Sequence, residues 1–288
     1  MRVVILGAGG RLGAALNREY REKFDAVGFN HAQLDLANVG EIHHNIDELE
    51  FDVLINAAAF TNVDLAEAEP ERAFAINAEA PRVLAEICSR KKAKLIHVST
   101  DYVFDGVKRK PYPEEDVAKP ISVYGESKRA GEENVLAVQD RHLVVRVSWV
   151  FGPDRPSFID AMIKRAREEE NVAAVADKFS TPTYTSDIAE MLPRFFEGPG
   201  GILHFANSGE CSWQEYAQYA LDRCRASGIP LKANTVGASK LADMKDWVAR
   251  RPVYSVLSTA KYAKLTGVSP RSWRDAVSDY IERSYSKK

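Results

Sequence analysis

The sequence predicts an α/β protein, a doubly wound parallel sheet with a smaller C-terminal domain, on three observations. Short apolar runs bounded by turn residues alternate with stretches of helical spacing, the first run opens into a glycine-rich turn, and the alternation fades after residue 150. Strands are expected at Val3–Leu6, Ala26–Phe29, Val53–Asn56, Leu95–Ser99 and Leu143–Val147. Between them, Leu12, Leu16 and Tyr20 recur every four residues within Arg11 to Arg21, and Phe74, Ile76, Val83, Leu84 and Ile87 follow a mostly helical pattern within Ala73 to Cys88. These helices would flank the sheet. Beyond Phe151-Gly152-Pro153, Pro156, Pro182, Pro193, Pro199, Pro230 and Pro252 break the chain into shorter elements, which places a domain border near residue 150. A late strand such as Ile202–Phe205 is positioned to return to the first sheet.

The 288 residues suffice for a full core without a partner. A net charge of −2, from 39 basic and 41 acidic residues with no long block of one sign, argues against a nucleic-acid surface. The run Arg90-Lys91-Lys92 reads as a solvated helix end. Cys88, Cys211 and Cys224 are widely spaced, odd in number and form no CxxC pair, so neither disulfides nor a zinc site are indicated. With no secretion signal and no apolar run of membrane-spanning length, the expectation is a soluble cytoplasmic protein.

The glycine turn, Gly7-Ala8-Gly9-Gly10-Arg11-Leu12-Gly13, carries the first chemical signal. A strand ending at Gly7 and a helix opening near Gly10 aim free backbone N–H groups and a positive helix end at a pyrophosphate, which makes the sheet Rossmann-type and residues 1–150 a dinucleotide-binding domain. Gly13 lets the helix lie against the strand. The spacing Gly7, Gly10, Gly13 is that of short-chain dehydrogenase/reductases, not GxGxxG, since position 12 is Leu. At the second strand end, Phe29-Asn30-His31 lacks the acid that often holds an NAD ribose. Arg11 could contact a 2′-phosphate or be a solvated helix residue, so NADPH is favoured and NADH kept open. Asp35-Leu36 fits the adenine edge, with Asp35 alternatively a helix cap for Ala37 onward. Asn56-Ala57-Ala58-Ala59 ends the next strand in minimal side chains that leave room for a ribose.

Tyr124 and Lys128, four residues apart, share one helix face and stand 24 residues after Thr100, itself at a strand end. A free tyrosine titrates near ~10, and an ammonium beside it favours the phenolate, easing proton transfer to or from a carbonyl oxygen. Lys128 could also hold a nicotinamide ribose, and Thr100 could orient the carbonyl. Together with the glycine turn these residues point to hydride transfer from a nicotinamide.

At this point the sequence resembles the extended short-chain dehydrogenase/reductases and, among them, the dTDP-4-dehydrorhamnose reductase family. The resemblance runs nearly end to end. It rests on Asn56 to Asp64, Ser99 to Gly106, Val123 to Lys128, Arg146 to Gly152, Thr181-Pro182-Thr183-Tyr184 and Arg251-Pro252-Val253-Tyr254-Ser255. It implies reduction of the C4 ketone of a dTDP-6-deoxy-4-keto-L-sugar to dTDP-L-rhamnose by NADPH or NADH. Tyr124 would be the proton donor, Lys128 its partner and Thr100 the orienting hydroxyl. Gly10, Arg11, Leu12, Asn30, Asp35, Leu36, Ala59, Phe60, Thr61 and Val98 would line the cofactor. Val63, Asp101, Tyr102 and Trp149 would face the nucleotide sugar, and the resemblance implies that residues 151–288 are mainly a substrate domain. Trp149 reads equally as a core aromatic, and Asn77, on the helix after the alanine run, either polarises backbone near the site or, as the favoured reading, sits on the helix surface. The expected partners are a dTDP-sugar and, as an assembly to consider, a homodimer; no nucleic acid, membrane or metal is expected.

Two departures from the family matter. Arg11 stands where Gln is frequent, and Ala14-Ala15 replace the acid that some members use for a magnesium-linked dimer contact. A dehydratase would carry Asp-Glu after the strand-end threonine, where this chain has Asp101-Tyr102. An epimerase recycling bound NAD and a noncatalytic reductase-like subunit of methionine adenosyltransferase are the alternative functions.

Overall fold

The computed structural model describes residues 1–285. Its strands are β1 (Arg2–Leu6), β2 (Asp25–Phe29), β3 (Val53–Asn56), β4 (Lys94–Thr100), β5 (Leu143–Val147), β6 (Val150–Phe151), β7 (Val172–Val175), β8 (Phe179–Ser180), β9 (Thr183–Tyr184), β10 (Gly201–His204), β11 (Cys211–Ser212) and β12 (Val236–Ser239). Its α-helices are α1 (Arg11–Tyr20), α2 (Val39–Ile46), α3 (Val63–Ala68), α4 (Pro70–Phe74), α5 (Ala80–Arg90), α6 (Val123–Val138), α7 (Phe158–Glu168), α8 (Thr185–Met191), α9 (Trp213–Ala226), α10 (Ala260–Thr266) and α11 (Trp273–Tyr285).

Six parallel strands form the central sheet in the order β10-β5-β4-β3-β1-β2. The period-2 alternation of strand side chains divides its two faces. Val3, Ile5, Val53, Ile55, Ile96 and Val145 pack under Leu12, Leu16 and Tyr20 of α1 and Ile188 of α8. Val4, Leu6, Leu54, Leu95 and Val144 pack under Ile42 and Ile46 of α2 and Val83, Leu84 and Ile87 of α5. Each such side chain contributes about 1.5–3 kcal/mol by leaving water. The strand order reverses between β1 and β3, so a crevice opens at their carboxyl ends, where doubly wound sheets bind ligands.

After β5 the chain contributes to both parts of the molecule. α8 and β10 join the sheet half, with β10 pairing β5 in parallel register. Phe151, Ile159, Met162, Tyr216, Leu221, Trp273 and Tyr280 form a separate core around α7, α9 and α11. A capping box fixes the start of α9: Ser212 Oγ accepts the Glu215 N–H at 3.1 Å, and Glu215 accepts the Ser212 N–H at 2.7 Å.

Two expectations are corrected. The helix expected across Ala73 to Cys88 is α4 and α5 joined by one π-helical turn, Ala75–Glu79. Asp35 does not cap α2: it closes a local turn by accepting the Ala37 N–H at 3.0 Å, while Asn38 caps the helix by accepting from Glu41 N at 3.3 Å. No helix among the described residues is long and apolar enough to cross a membrane.

Candidate active site

A cleft of about 950 Å³ runs along the carboxyl ends of β1, β2, β3 and β4. Every site residue expected from the sequence lines it except Gly13. Gly13 acts one layer behind: a Cβ there would meet the Gly7 carbonyl oxygen at 2.0 Å, so only glycine lets α1 lie against the turn. Gly7 has φ +79° and Gly10, the residue before α1, offers no side-chain cap. The first N–H groups of α1 are therefore free to meet an anion in the cleft.

Arg11 turns away from the second strand end. Its guanidinium donates to the Pro156 carbonyl at 2.5 Å and the Arg155 carbonyl at 3.4 Å, while Arg155 donates to the Gly9 carbonyl at 2.9 Å. Arg18 pairs with Asp154 beside them. These contacts tie the glycine turn to the loop after β6. The 2′-phosphate role considered for Arg11 therefore lacks support from its position, and Asn30 and His31 form that end of the cleft.

Opposite lies the proton-transfer set. Ser122 caps α6, accepting the Gly125 N–H at 3.3 Å, and so presents Tyr124 and Lys128 to the end of β4. Glu132, one turn beyond Lys128, binds Arg146 of β5 through two hydrogen bonds of 2.8 and 2.6 Å, both side chains being 3% exposed. Thr100 donates to Asp101 Oδ1 at 3.2 Å and accepts the Tyr102 N–H at 3.2 Å. Burial pushes the Tyr124 phenol up to about 12, opposed by the Thr100 hydroxyl. The Lys128 amine is itself buried, pushed down to about 8, and donates to the Val98 carbonyl at 2.7 Å, so burial and not the neighbouring ammonium sets the net direction for the phenol.

Asp101 lies in the cleft wall, yet its carboxylate is enclosed. Oδ2 accepts from Ser255 at 2.5 Å and Ser180 at 3.1 Å. Trp149 is both a core and a cleft residue: it stacks on Tyr216, has φ +39°, and its indole N–H finds no acceptor among the described residues. An unusual backbone and an unmatched donor in one cleft residue are features of ligand sites.

Sequence reading ranked one support below its alternative and missed two others. Asn77 is fully buried rather than on a helix surface: its amide holds the Phe60 N–H at 2.9 Å and the Phe60 carbonyl at 3.0 Å, and donates to Ser127 at 3.0 Å. The π turn delivers it there, and nothing in the local pattern marks such a turn. Lys178, fully buried, donates to the Pro252 carbonyl at 2.9 Å and lies 5.2 Å from the Tyr102 ring centre and 5.6 Å from that of Trp149. Arg251 binds Asp64, the neighbour of the cleft residue Val63, at 2.5 and 3.1 Å while stacked 4.0 Å over Trp247. These pairings join motifs that sequence reading quoted separately.

A dinucleotide-type crevice with a Tyr-Lys-Thr set at the carboxyl end of β4 defines the class: an extended short-chain dehydrogenase/reductase. The family described as RmlD substrate binding domain matches residues 1–286, and the chain belongs to it. It is 34% identical over 286 residues to the spore coat polysaccharide biosynthesis protein SpsK of Bacillus subtilis, covering 99% of this chain and 98% of that one. It is 38% identical over 286 residues to the dTDP-4-dehydrorhamnose reductase of Mycolicibacterium smegmatis, covering 97% and 85%. The crystal structure of the Bacillus anthracis dTDP-4-dehydrorhamnose reductase in complex with NADP superposes with a TM-score of 0.91 at 32% identity, over 98% of this chain and 99% of that one.

Proposed function

We propose that this protein reduces the C4 ketone of dTDP-4-dehydro-L-rhamnose to give dTDP-L-rhamnose, using NADPH, with NADH as the alternative reductant. The observation that carries the reading is the convergence of Thr100, Tyr124 and Lys128 in the cleft that the glycine turn opens, in a chain of this family. The cleft fits a dinucleotide: α1 offers uncapped N–H groups, Gly7 and Gly10 leave the turn bare, and Ala57-Ala58-Ala59 line the adjoining strand end with minimal side chains. The reduced nicotinamide, when bound, supplies the hydride.

The chain's own residues manage the proton. With its phenol pushed up to about 12, Tyr124 is protonated at neutral pH and donates to the ketone oxygen. The Lys128 ammonium stabilises the phenolate left behind and holds the nicotinamide ribose. The Thr100 hydroxyl proton, resting on Asp101, turns to the same ketone oxygen. Val63, Tyr102 and Trp149 receive the nucleotide sugar. Because Asp101 is followed by Tyr102 and is enclosed by Ser180 and Ser255, the end of β4 lacks the adjacent acid pair that would eliminate water. That favours reduction over dehydration.

The test mixes purified protein with the keto-sugar and either NADPH or NADH, following nicotinamide oxidation and product stereochemistry. Oxidation with dTDP-L-rhamnose as product is expected. Oxidation giving another stereoisomer moves the assignment to a related 4-keto-sugar, and its absence in protein that binds the cofactor overturns the reading.

A further inference from the structure

Behind Lys128 lies a buried chain of polar groups that the proton transfer above does not use. His97, on β4, is fully buried, with one ring nitrogen facing β3 and the other facing α6. On the β3 side, Asn56 Oδ1 accepts the Ala58 N–H at 3.1 Å, which fixes the amide's orientation and leaves its NH₂ facing His97 Nδ1 at 3.2 Å. An amide nitrogen can only donate, so Nδ1 must accept, and the neutral ring carries its proton on Nε2. Nε2 stands 3.2 Å from Lys128 Nζ. An imidazole N–H facing an amine favours the amine's free lone pair over the ammonium, while the Val98 carbonyl accepts one of the amine's own protons at 2.7 Å.

We propose that Asn56 and His97 are positioning residues for Lys128: the amide fixes the imidazole tautomer, and the N–H this leaves facing Nζ sets the pH above which Lys128 loses its proton and turnover falls. The inference rests on the reductase reading for its kinetic consequence, though the tautomer does not depend on it. The other ionisable groups nearby are Tyr124 and Glu132 on α6, Asp101 after β4, and Arg146 of β5. Glu132 favours the ammonium, but it is held by Arg146, and Asp101 is engaged by Thr100, Ser180 and Ser255. Burial works in the same direction as His97, pressing the amine down to about 8. The sign follows: activity that needs the ammonium is present below that pH and lost as pH rises through it.

Two measurements test this. In the cofactor-free full chain, long-range ¹H–¹⁵N couplings report the His97 tautomer, with His97→Gln identifying the signal among six histidines. The Nε2–H tautomer is expected, switching to Nδ1–H in Asn56→Asp, whose carboxylate can accept from the ring. In the kinetic arm, His97→Gln offers Nζ a carbonyl acceptor in place of an N–H, and the alkaline limit of kcat/KM should rise by about one pH unit. A simple packing defect would lower activity at every pH without moving that limit upward. An Nδ1–H tautomer in the unsubstituted protein, or an alkaline limit that stays put in His97→Gln, overturns the proposal. If no keto-sugar is turned over, the reductase reading falls while the tautomer still decides this inference, and Asn56→Asp serves only if it folds.

Discussion

On the glycine-turn wall of the cleft, a ligand meets mainly backbone: bare N–H groups at the start of α1 and the short side chains of Ala57, Ala58 and Ala59. On the facing wall it meets side chains, and each is held from behind by a distant part of the chain. Asp101 is tied to Ser255, 154 residues away, and Lys128 to His97, with Glu132 bound to Arg146 in the layer behind. The first wall depends on spacing and on what glycine and alanine leave out. The second depends on a buried network that must be completed in full.

The sharpest way to separate the walls is Tyr124→Phe, which removes one hydroxyl from the side-chain wall and nothing from the other. Turnover should fall by about 10²–10⁴-fold with cofactor affinity retained, read by nicotinamide oxidation beside a cofactor titration. Glu132→Gln strips the buried Arg146 of its counter-charge and should cost about 3 kcal/mol in denaturant unfolding, far more than loss of a surface pair. Gly13→Ala attacks the backbone wall. With a Cβ pressed onto the Gly7 carbonyl, stability should drop by about 1–3 kcal/mol, and cofactor affinity should weaken more than kcat.

The smallest effect expected is that of Lys178→Met on the pH dependence of stability. Burial depresses the amines of Lys94, Lys128 and Lys178 to about 8 in the folded chain, whereas the unfolded chain keeps their protons up to the ordinary lysine value near ~10.4. Across that window the unfolded state binds more protons, so these groups make stability rise with pH. Lys178→Met removes one of the three and should flatten the rise in unfolding free energy between those limits. An unchanged slope would mean that Lys178 titrates as an ordinary lysine.

The backbone wall was legible in the sequence because its determinants are local: a strand, three glycines at fixed spacing, an alanine run at the next strand end. The candidate proton-transfer pair was legible for the same reason, Tyr124 and Lys128 being one helical turn apart. Their supports were not. Asn77 reaches Phe60 through a π turn that no periodicity announces, and Lys178 sits under Tyr102 and Trp149 only because the chain returns there after β7. The net direction for the Tyr124 phenol was not legible because the sequence places an ammonium nearby but is silent on burial, the largest effect. The anchoring of Arg11 was not legible because its partners, the Arg155 and Pro156 carbonyls, lie 144 and 145 residues away.

The strand β10 has a consequence for how the protein is made. It covers the outer edge of β5 and sets His204 against Arg146 at 3.2 Å, yet it is synthesised long after both. While the ribosome works through residues 148 to 200, the backbone N–H and C=O groups of Leu143–Val147 face no strand on that side, ready to pair with another nascent chain. A truncation at the border near residue 150 would keep that adhesive edge permanently and precipitate, whereas one that keeps residues through His204 retains the strand that shields it.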